Sequence, residues 1–316
     1  MGEVRIEQRG RVLVATLVNP PHGLMSAGIV DGLELLVARA ATDSGVGAVV
    51  LTGEHPERFI AHYDVRELLD GARSGPSVGP RVAKGSLRLT GALRRVPAAE
   101  RALAGTRAAG LVAIERFHEI LLRMNRCGAV FVAALNGSAM GGGCELALAC
   151  DLRIMADGPY LIGQPEILLG FPPGGGGTQR LARLLGSGRA LQLVLDGGPL
   201  SPTQALEIGL VDELAAPDGL LDSAAAHAER LGRRPKVAIA ASKRAVYEGG
   251  SLPLSQGLRL ERAEFLAALG TREAEEAMQA YLDASDQVQL RAANQSDAVR
   301  RAMMGDISGD LGGGDD

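Results

Sequence analysis

The sequence predicts an α/β fold on three observations. Residues 4–18 alternate between apolar and other side chains, with a turn at 9–11, which is typical of a β-hairpin. A helical pattern begins after Ser26, a residue type that favours the N-cap position. Residues 46–53, VGAVVLTG, form a short apolar run that ends in glycine, as buried parallel strands do. Strands and helices that alternate in this way indicate an α/β protein.

The elements that follow continue the alternation. A capping-box pattern at Asp64–Glu67 predicts the start of a second helix. Ser201–Gln204 predicts a later helix start, because it supplies a cap, a proline in the first turn and a glutamine that reaches back. We expect residues 222–289 to be mostly helical. Between these points the sequence predicts helices at 109–125, 144–151 and 178–186 and strands at 129–137 and 152–157.

Two regions depart from this pattern. Residues 72–108 are rich in Gly, Pro, Ser and Ala and show little periodicity, and the stretch from Arg73 to Arg116 has nine Lys/Arg against two Glu. We expect an inserted, partly ordered basic loop there. Residues 291–316, which end in DISGDLGGGDD, have the composition of a disordered tail.

Composition excludes several classes of protein. The 316 residues suffice for about two domains, and the net charge of −4 argues against a dedicated nucleic-acid surface. Aromatic residues make up only 3%, which disfavours base stacking, and the three cysteines show neither a disulfide framework nor metal-ligand spacing, so we expect no metal. The N-terminus lacks an apolar signal segment and the uncharged run 127–144 is broken by glycines, so we expect a cytoplasmic protein without membrane contact.

The most informative segment is 135–151, where an apolar strand runs into Gly141-Gly142-Gly143 and then a helix. The first N–H groups of a helix lack partners and carry partial positive charge, so such a turn can hold a phosphate or a carbonyl oxygen that becomes negative. No phosphate-loop motif is present, and Glu145 would stand beside the ligand. A carboxylate beside a carbonyl suits acid–base chemistry better than a carboxylate beside a phosphate.

A second glutamate lies in the segment 163–180, which contains another glycine run. Glu166 has strongly apolar neighbours in sequence, and such surroundings raise a carboxyl pKa and suit proton transfer. Two carboxylates that flank two glycine turns could place one water molecule across a double bond.

These segments together closely resemble the enoyl-CoA hydratase (crotonase) superfamily. The family run N-G-x-x-x-G-G-G-x-E-L is similar to 136–146, Q-P-E-x-x-L-G to 164–170, and G-G-T-Q-R-L to 176–181. The resemblance covers about residues 10–283, apart from the insertion. It implies a crotonase (ClpP-like) fold: a spiral of β-β-α units over 1–240 and a helical part over 241–290 that forms trimers, with dimers of trimers common.

The resemblance also implies a reaction. Family members bind acyl-CoA thioesters, and hydratases add water to a trans-2-enoyl-CoA to give a 3-hydroxyacyl-CoA. By motif match, the backbone N–H groups of Ala61 and Gly142 would form the oxyanion hole, a pair of donors that holds the thioester oxygen. Glu145 and Glu166 would hold the water, with Glu166 delivering a proton to the α-carbon. No cofactor is expected, since coenzyme A is part of the substrate.

The resemblance further suggests contacts around these groups. The N–H of Gly174 would position the water, and the residues expected to contact substrate are His62, Tyr63, Asp64 and Gly141. Two departures stand out: the usual A-G-A-D reads Ala61-His62-Tyr63-Asp64, and the C-terminal lysines that help to hold the coenzyme are missing. The basic insertion is a candidate to supply that charge.

Other functions stay open on the sequence alone. A related acyl-CoA isomerase, hydrolase, decarboxylase or lyase would share the motifs, although both glutamates favour hydration. RNA binding has only the basic stretch in its favour, and a serine hydrolase based on Ser138 lacks a convincing His/Asp partner. The altered Ala61–Asp64 segment also leaves a catalytically silent scaffold open.

Overall fold

The computed structural model describes residues 2–74, 78–93 and 109–291. The strands are β1 Glu3–Arg9, β2 Val12–Val18, β3 Ala48–Gly53, β4 Arg58–Ile60, β5 Val130–Leu135, β6 Ser138–Met140, β7 Leu152–Ala156, β8 Ile162–Gly163 and β9 Glu213–Ala215. The helices are α1 Ala27–Thr42, α2 Val65–Ser74, α3 Pro80–Leu93, α4 Ala109–Met124, α5 Gly142–Ala149, α6 Gly177–Leu185, α7 Ser187–Asp196, α8 Pro202–Glu207, α9 Leu220–Gly232, α10 Lys236–Tyr247, α11 Leu254–Leu269 and α12 Arg272–Arg291.

A six-stranded sheet in the order β1-β2-β3-β5-β7-β9 forms the body of the fold. β1 and β2 are the predicted hairpin, with Gly10 at φ +57° in its turn, and every other neighbouring pair is parallel. Successive side chains of a strand point to opposite faces, so Leu13 and Ala15 enter one core while Val12 and Val14 enter the other. The α/β prediction is therefore confirmed.

Helices cover both faces of this sheet. α1 buries six apolar side chains at helical spacing in the first core: Ile29, Val30, Leu33, Leu36, Val37 and Ala40. α9 places Leu220, Ala224 and Ala228 in the second core. The predicted capping box at the start of α8 is present, with Ser201 Oγ accepting the Gln204 N–H and Gln204 accepting the Ser201 N–H.

A second, three-stranded parallel sheet, β4-β6-β8, leads into the segments that hold the predicted site residues. Ser138 pairs with Arg58, and Ile162 pairs with Ala139, so the three strands run side by side. Parallel strands bring their carboxyl ends to the same edge of a sheet. The segments that follow β4, β6 and β8 therefore emerge next to one another.

The expectation of a loop over 72–108 is wrong for residues 72–74, which end α2, and for residues 80–93, which form α3. Pro80 begins the helix, a position where its missing N–H costs nothing. Gly85 and Gly91 lower the helix propensity, so the sequence pattern is weak, but α3 packs against α4 and buries Thr90. The remaining predictions for these regions lie outside the described residues, which omit 75–77 and 94–108 of the insertion and 292–316 of the expected tail.

The described residues divide into two compact units, with the boundary between Lys243 and Arg244. All the strands given above belong to the first unit. The second contains α11 and α12, and within it Arg244 Nη2 pairs with Glu264 at 2.6 Å. None of the helices in the described ranges combines the length and the apolar composition that spanning a bilayer requires.

A buried ion pair ties α10 to β5 within the first unit. Lys243 Nζ lies 2.7 Å from Asp151 Oδ2 and also donates to the Ala129 carbonyl at 2.8 Å. The same carboxylate oxygen accepts the Phe131 N–H at 2.8 Å. Asp151 thus has a structural role, since it joins the Lys243 side chain to the backbone of β5.

Replacing Lys243 by Met should lower the free energy of unfolding by about 3 kcal/mol, because it removes one partner of a largely buried ion pair. Urea denaturation of the purified protein measures this change. Lys84→Met is the matched control, since Lys84 is exposed on α3 and its loss should change the free energy by less than about 0.5 kcal/mol. Equal effects of the two substitutions would contradict the assignment.

Candidate active site

Glu145 lies in the first turn of α5, as predicted, and is only 4% exposed. Its Oε1 accepts the N–H of Gly175 at 2.6 Å and that of Gly177 at 2.9 Å. Burial raises the pKa of Glu145, and the bonds from Gly177 and Gly175 and the charges of His118 and Arg180 oppose that rise. The acid is therefore held in place by the second glycine run of the sequence.

The close approach of that run requires glycine. A methyl group on Gly175 would lie 2.2 Å from Glu145 Oε2 and 2.7 Å from the Phe117 ring. Both distances are far below van der Waals contact, so a side chain at Gly175 would push the backbone away from the carboxylate. The glycine run is a specific partner of Glu145, not merely a flexible connection.

Glu166 begins a 3-10 turn, Glu166–Leu169, and two residues separate it from the end of β8. The pKa of Glu166 is raised to about 7, chiefly by burial and with a smaller contribution from the charge of Glu145, while its own backbone N–H opposes the shift. In the amide orientation that satisfies both groups, Gln164 Nε2 donates to both Glu166 oxygens at 3.1 Å. The pKa of the Glu166 carboxyl is thus raised, as its apolar neighbours in the sequence predict.

The first glycine turn lies beside both acids. Gly141, at φ +48°, accepts the Glu145 N–H at 2.9 Å, and a methyl group on Gly141 would lie 2.8 Å from Glu166 Oε1. The two glutamates, far apart in sequence, therefore border one turn. Gly142 follows as the first residue of α5, and helix positions of this kind have N–H groups without an intrahelical acceptor.

The assignment of the Ala61 N–H to the oxyanion hole is wrong. This N–H already donates to the Gly23 carbonyl at 2.8 Å. The Met25 N–H donates to the His62 carbonyl, and the Asp64 N–H donates to the Met25 carbonyl. Tyr63 lies between these two residues in the extended segment, so its own N–H points to the opposite side, away from Met25. A methyl group on Gly142 would lie 3.6 Å from the Tyr63 nitrogen.

The N–H groups of Tyr63 and Gly142 are thus the two neighbouring backbone donors that can serve as an oxyanion hole. Within the described ranges, neither donates to an acceptor of the protein. The sequence does not identify Tyr63 as a backbone donor, because alternate residues of an extended segment point their N–H groups to opposite sides and the side is not visible in the sequence. Only the pairing with residues 23–25 decides which residues face Gly142.

The other predicted residues occupy distinct positions. His62 is exposed, and its Nδ1 lies 2.7 Å from the Tyr63 carbonyl oxygen. Asp64 caps α2 by accepting the Arg66 N–H at 2.9 Å. The N–H of Gly174 has no acceptor in the part of the chain that the structure describes, and its carbonyl contacts His118. Ser138 Oγ accepts the Leu161 N–H at 3.2 Å, a structural contact.

A cavity of about 410 Å³ opens on the segment that leads to Tyr63. Both apolar and basic residues line it: His22, Leu24, Arg58, Ala61, His62, Ser138 and Met140. Among the described residues, no group of three or more His, Cys, Asp or Glu side chains is arranged to hold a metal ion.

Comparison with known proteins identifies relatives of this chain. The family described as enoyl-CoA hydratase/isomerase matches residues 100–288. The short-chain-enoyl-CoA hydratase of Clostridium acetobutylicum is 30% identical over 90% of this chain and 95% of its own length. The 2,3-dehydroadipyl-CoA hydratase of Escherichia coli is 31% identical over 89% and 96%.

A solved structure shows the same fold. The enoyl-CoA hydratase of Bacillus anthracis superposes with a TM-score of 0.70 at 25% identity, covering 89% of this chain and 96% of that one. The predicted crotonase fold is thereby confirmed.

We expect the Glu166 carboxyl of the free protein to be mostly protonated at pH 6 and mostly ionised at pH 8, because its pKa is raised to about 7. Infrared difference spectra taken across this range should show the protonated carboxyl band disappear. The band should be absent in Glu166→Gln and unchanged in Glu57→Gln, a substitution of an exposed glutamate. A midpoint near that of an ordinary glutamate would contradict the burial argument.

Proposed function

The chain belongs to the enoyl-CoA hydratase/isomerase family, and we propose that its reaction is the addition of water to trans-2-enoyl-CoA thioesters to give 3-hydroxyacyl-CoA. The observation that carries this proposal is the pair of glutamates, Glu145 buried and Glu166 half-buried, beside one glycine turn and next to two adjacent backbone donors. Relatives named hydratases, similar along nearly the whole chain, support it.

In this proposal the thioester oxygen accepts the N–H groups of Tyr63 and Gly142. Attack of water on C3 moves negative charge onto that oxygen, and donors that are already oriented stabilise the enolate without reorganising. Gly142 is the first residue of α5, so the partial positive charge of the helix N-terminus adds to the stabilisation.

The two carboxyl groups then have different tasks. Glu145, which accepts two N–H bonds, acts as the base that takes a proton from water as the oxygen bonds to C3. Glu166, whose pKa is raised to about 7, is protonated in a large fraction of molecules at neutral pH and gives its proton to C2. The N–H of Gly174 helps to hold the water. A proton passed from Glu145 back to Glu166 restores the starting state.

The substrate is thus an acyl-CoA thioester, and we propose that no separate cofactor is needed, because coenzyme A is itself part of the substrate. We also propose assembly into trimers or dimers of trimers. In support, α11 of the second unit exposes a set of large apolar side chains: Leu254, Leu258, Phe265, Leu266 and Leu269.

Glu145→Gln and Glu166→Gln should each lower kcat on crotonyl-CoA by about 100-fold or more, since each removes one proton-transfer group. The loss of the enoyl thioester absorbance measures the rate. Glu229→Gln, on the exposed face of α9, serves as the control and should keep full activity. Wild-type protein that leaves crotonyl-CoA unchanged but isomerises a 3-enoyl-CoA would identify an isomerase instead.

Removing one oxyanion donor tests the assignment of the backbone groups. Gly142→Pro deletes the N–H at the first position of α5, where proline is tolerated, and should lower kcat by roughly 100-fold or more. Gly142→Ala keeps the N–H, and its methyl group would make only ordinary contacts of 3.6 Å or more, so its loss should be much smaller. Similar losses in the two variants would argue against a hydrogen-bonding role.

A further inference from the structure

The carbonyl of Gly174 has a side-chain partner that the proposed chemistry does not use. His118 Nε2, on α4, lies 2.7 Å from this oxygen. A carbonyl oxygen can only accept a hydrogen bond, so Nε2 must carry the proton and donate it. The contact therefore places a hydrogen on Nε2 of His118.

The same peptide group makes the contact to Glu145. The carbonyl of Gly174 and the N–H of Gly175 belong to one planar unit, and that N–H donates to Glu145 Oε1 at 2.6 Å. A continuous chain of hydrogen bonds thus runs from the His118 ring through one peptide to the carboxylate. A donor on the carbonyl makes the N–H at the other end of the peptide a better donor.

The glycine run needs such an external support. Gly174, Gly175, Gly176 and Gly177 are consecutive, and glycine restricts the backbone least of all residues. α4 supplies two neighbouring contacts: the buried Phe117 ring packs against Gly175, and His118 holds the preceding carbonyl. The helix therefore determines the orientation of the peptide that faces Glu145.

We propose that His118 is a positioning residue for Glu145, acting through the peptide between Gly174 and Gly175. The inference deepens the proposed hydration reaction and rests on it for the catalytic role of Glu145. His118 lies behind the glycine run, in contact with a carbonyl oxygen on the side of the peptide away from the carboxylate. It acts through the peptide without contacting the reacting atoms.

The test compares two replacements at the same position. His118→Leu cannot donate and should lower kcat on crotonyl-CoA roughly three- to tenfold, the effect of one lost hydrogen bond, with KM changed less than about twofold. His118→Gln places an N–H₂ group near the original Nε2 and should restore most of the rate. Glu119→Leu, one residue further on and exposed, is the control for an apolar side chain on α4.

Hydrogen–deuterium exchange supplies a readout that does not need activity. The amides of residues 174–177 should exchange faster in His118→Leu and at the wild-type rate in His118→Gln. If His118→Leu does not fold, as judged by its melting temperature, His118→Ala gives the same comparison.

The outcomes separate the two proposals. Faster exchange in a protein that hydrates no enoyl-CoA would overturn the proposed reaction and support the positioning contact. Unchanged exchange and unchanged kcat in His118→Leu would overturn the role of His118, as would a His118→Gln variant as slow as His118→Leu.

Discussion

A buried carboxylate that has to be satisfied by backbone donors is the constraint on which this site depends. Glu145 is nearly inaccessible to water, and an ionised carboxylate in such a place is costly unless it is hydrogen-bonded. The N–H groups of Gly175 and Gly177 meet that need. This requirement explains why a run of glycines passes so close to the acid, and why α4 packs against the same run through Phe117 and His118.

The small parallel sheet brings the rest of the site to this carboxylate. β4 leads to Tyr63, β6 leads to the first glycine turn, and β8 leads to Glu166, all at the same sheet edge. Because the strands are hydrogen-bonded to one another, the positions of the three segments are coupled. The adjacent donors of Tyr63 and Gly142 follow from this pairing, together with the bonds of the neighbouring residues to Met25.

The two glutamates differ because their surroundings differ. Glu145 accepts hydrogen bonds from two backbone donors that favour its charged form. Glu166 accepts hydrogen bonds from its own backbone N–H and from the Gln164 amide, but the negative charge of Glu145 disfavours its charged form. Two groups of the same chemical type are thereby suited to opposite roles in a proton-transfer reaction. The division of roles is a property of the folded protein and not of the residue type.

The sequence alone determined the elements whose signals are local. Four features are encoded within a few residues each: the hairpin turn at Gly10, the capping box at Ser201, the apolar run of β3 and the glycine turn before Glu145. The motifs around Glu145 and Glu166 identified the family.

The tertiary structure decided what depends on pairing between distant segments. It showed that the Ala61 N–H is bonded to Gly23 while Tyr63 faces Gly142, that residues 80–93 form a helix against α4, and that His118 contacts Gly174. Backbone hydrogen-bond direction and helix packing are set by neighbours far away in the chain, and a linear pattern carries no record of those neighbours.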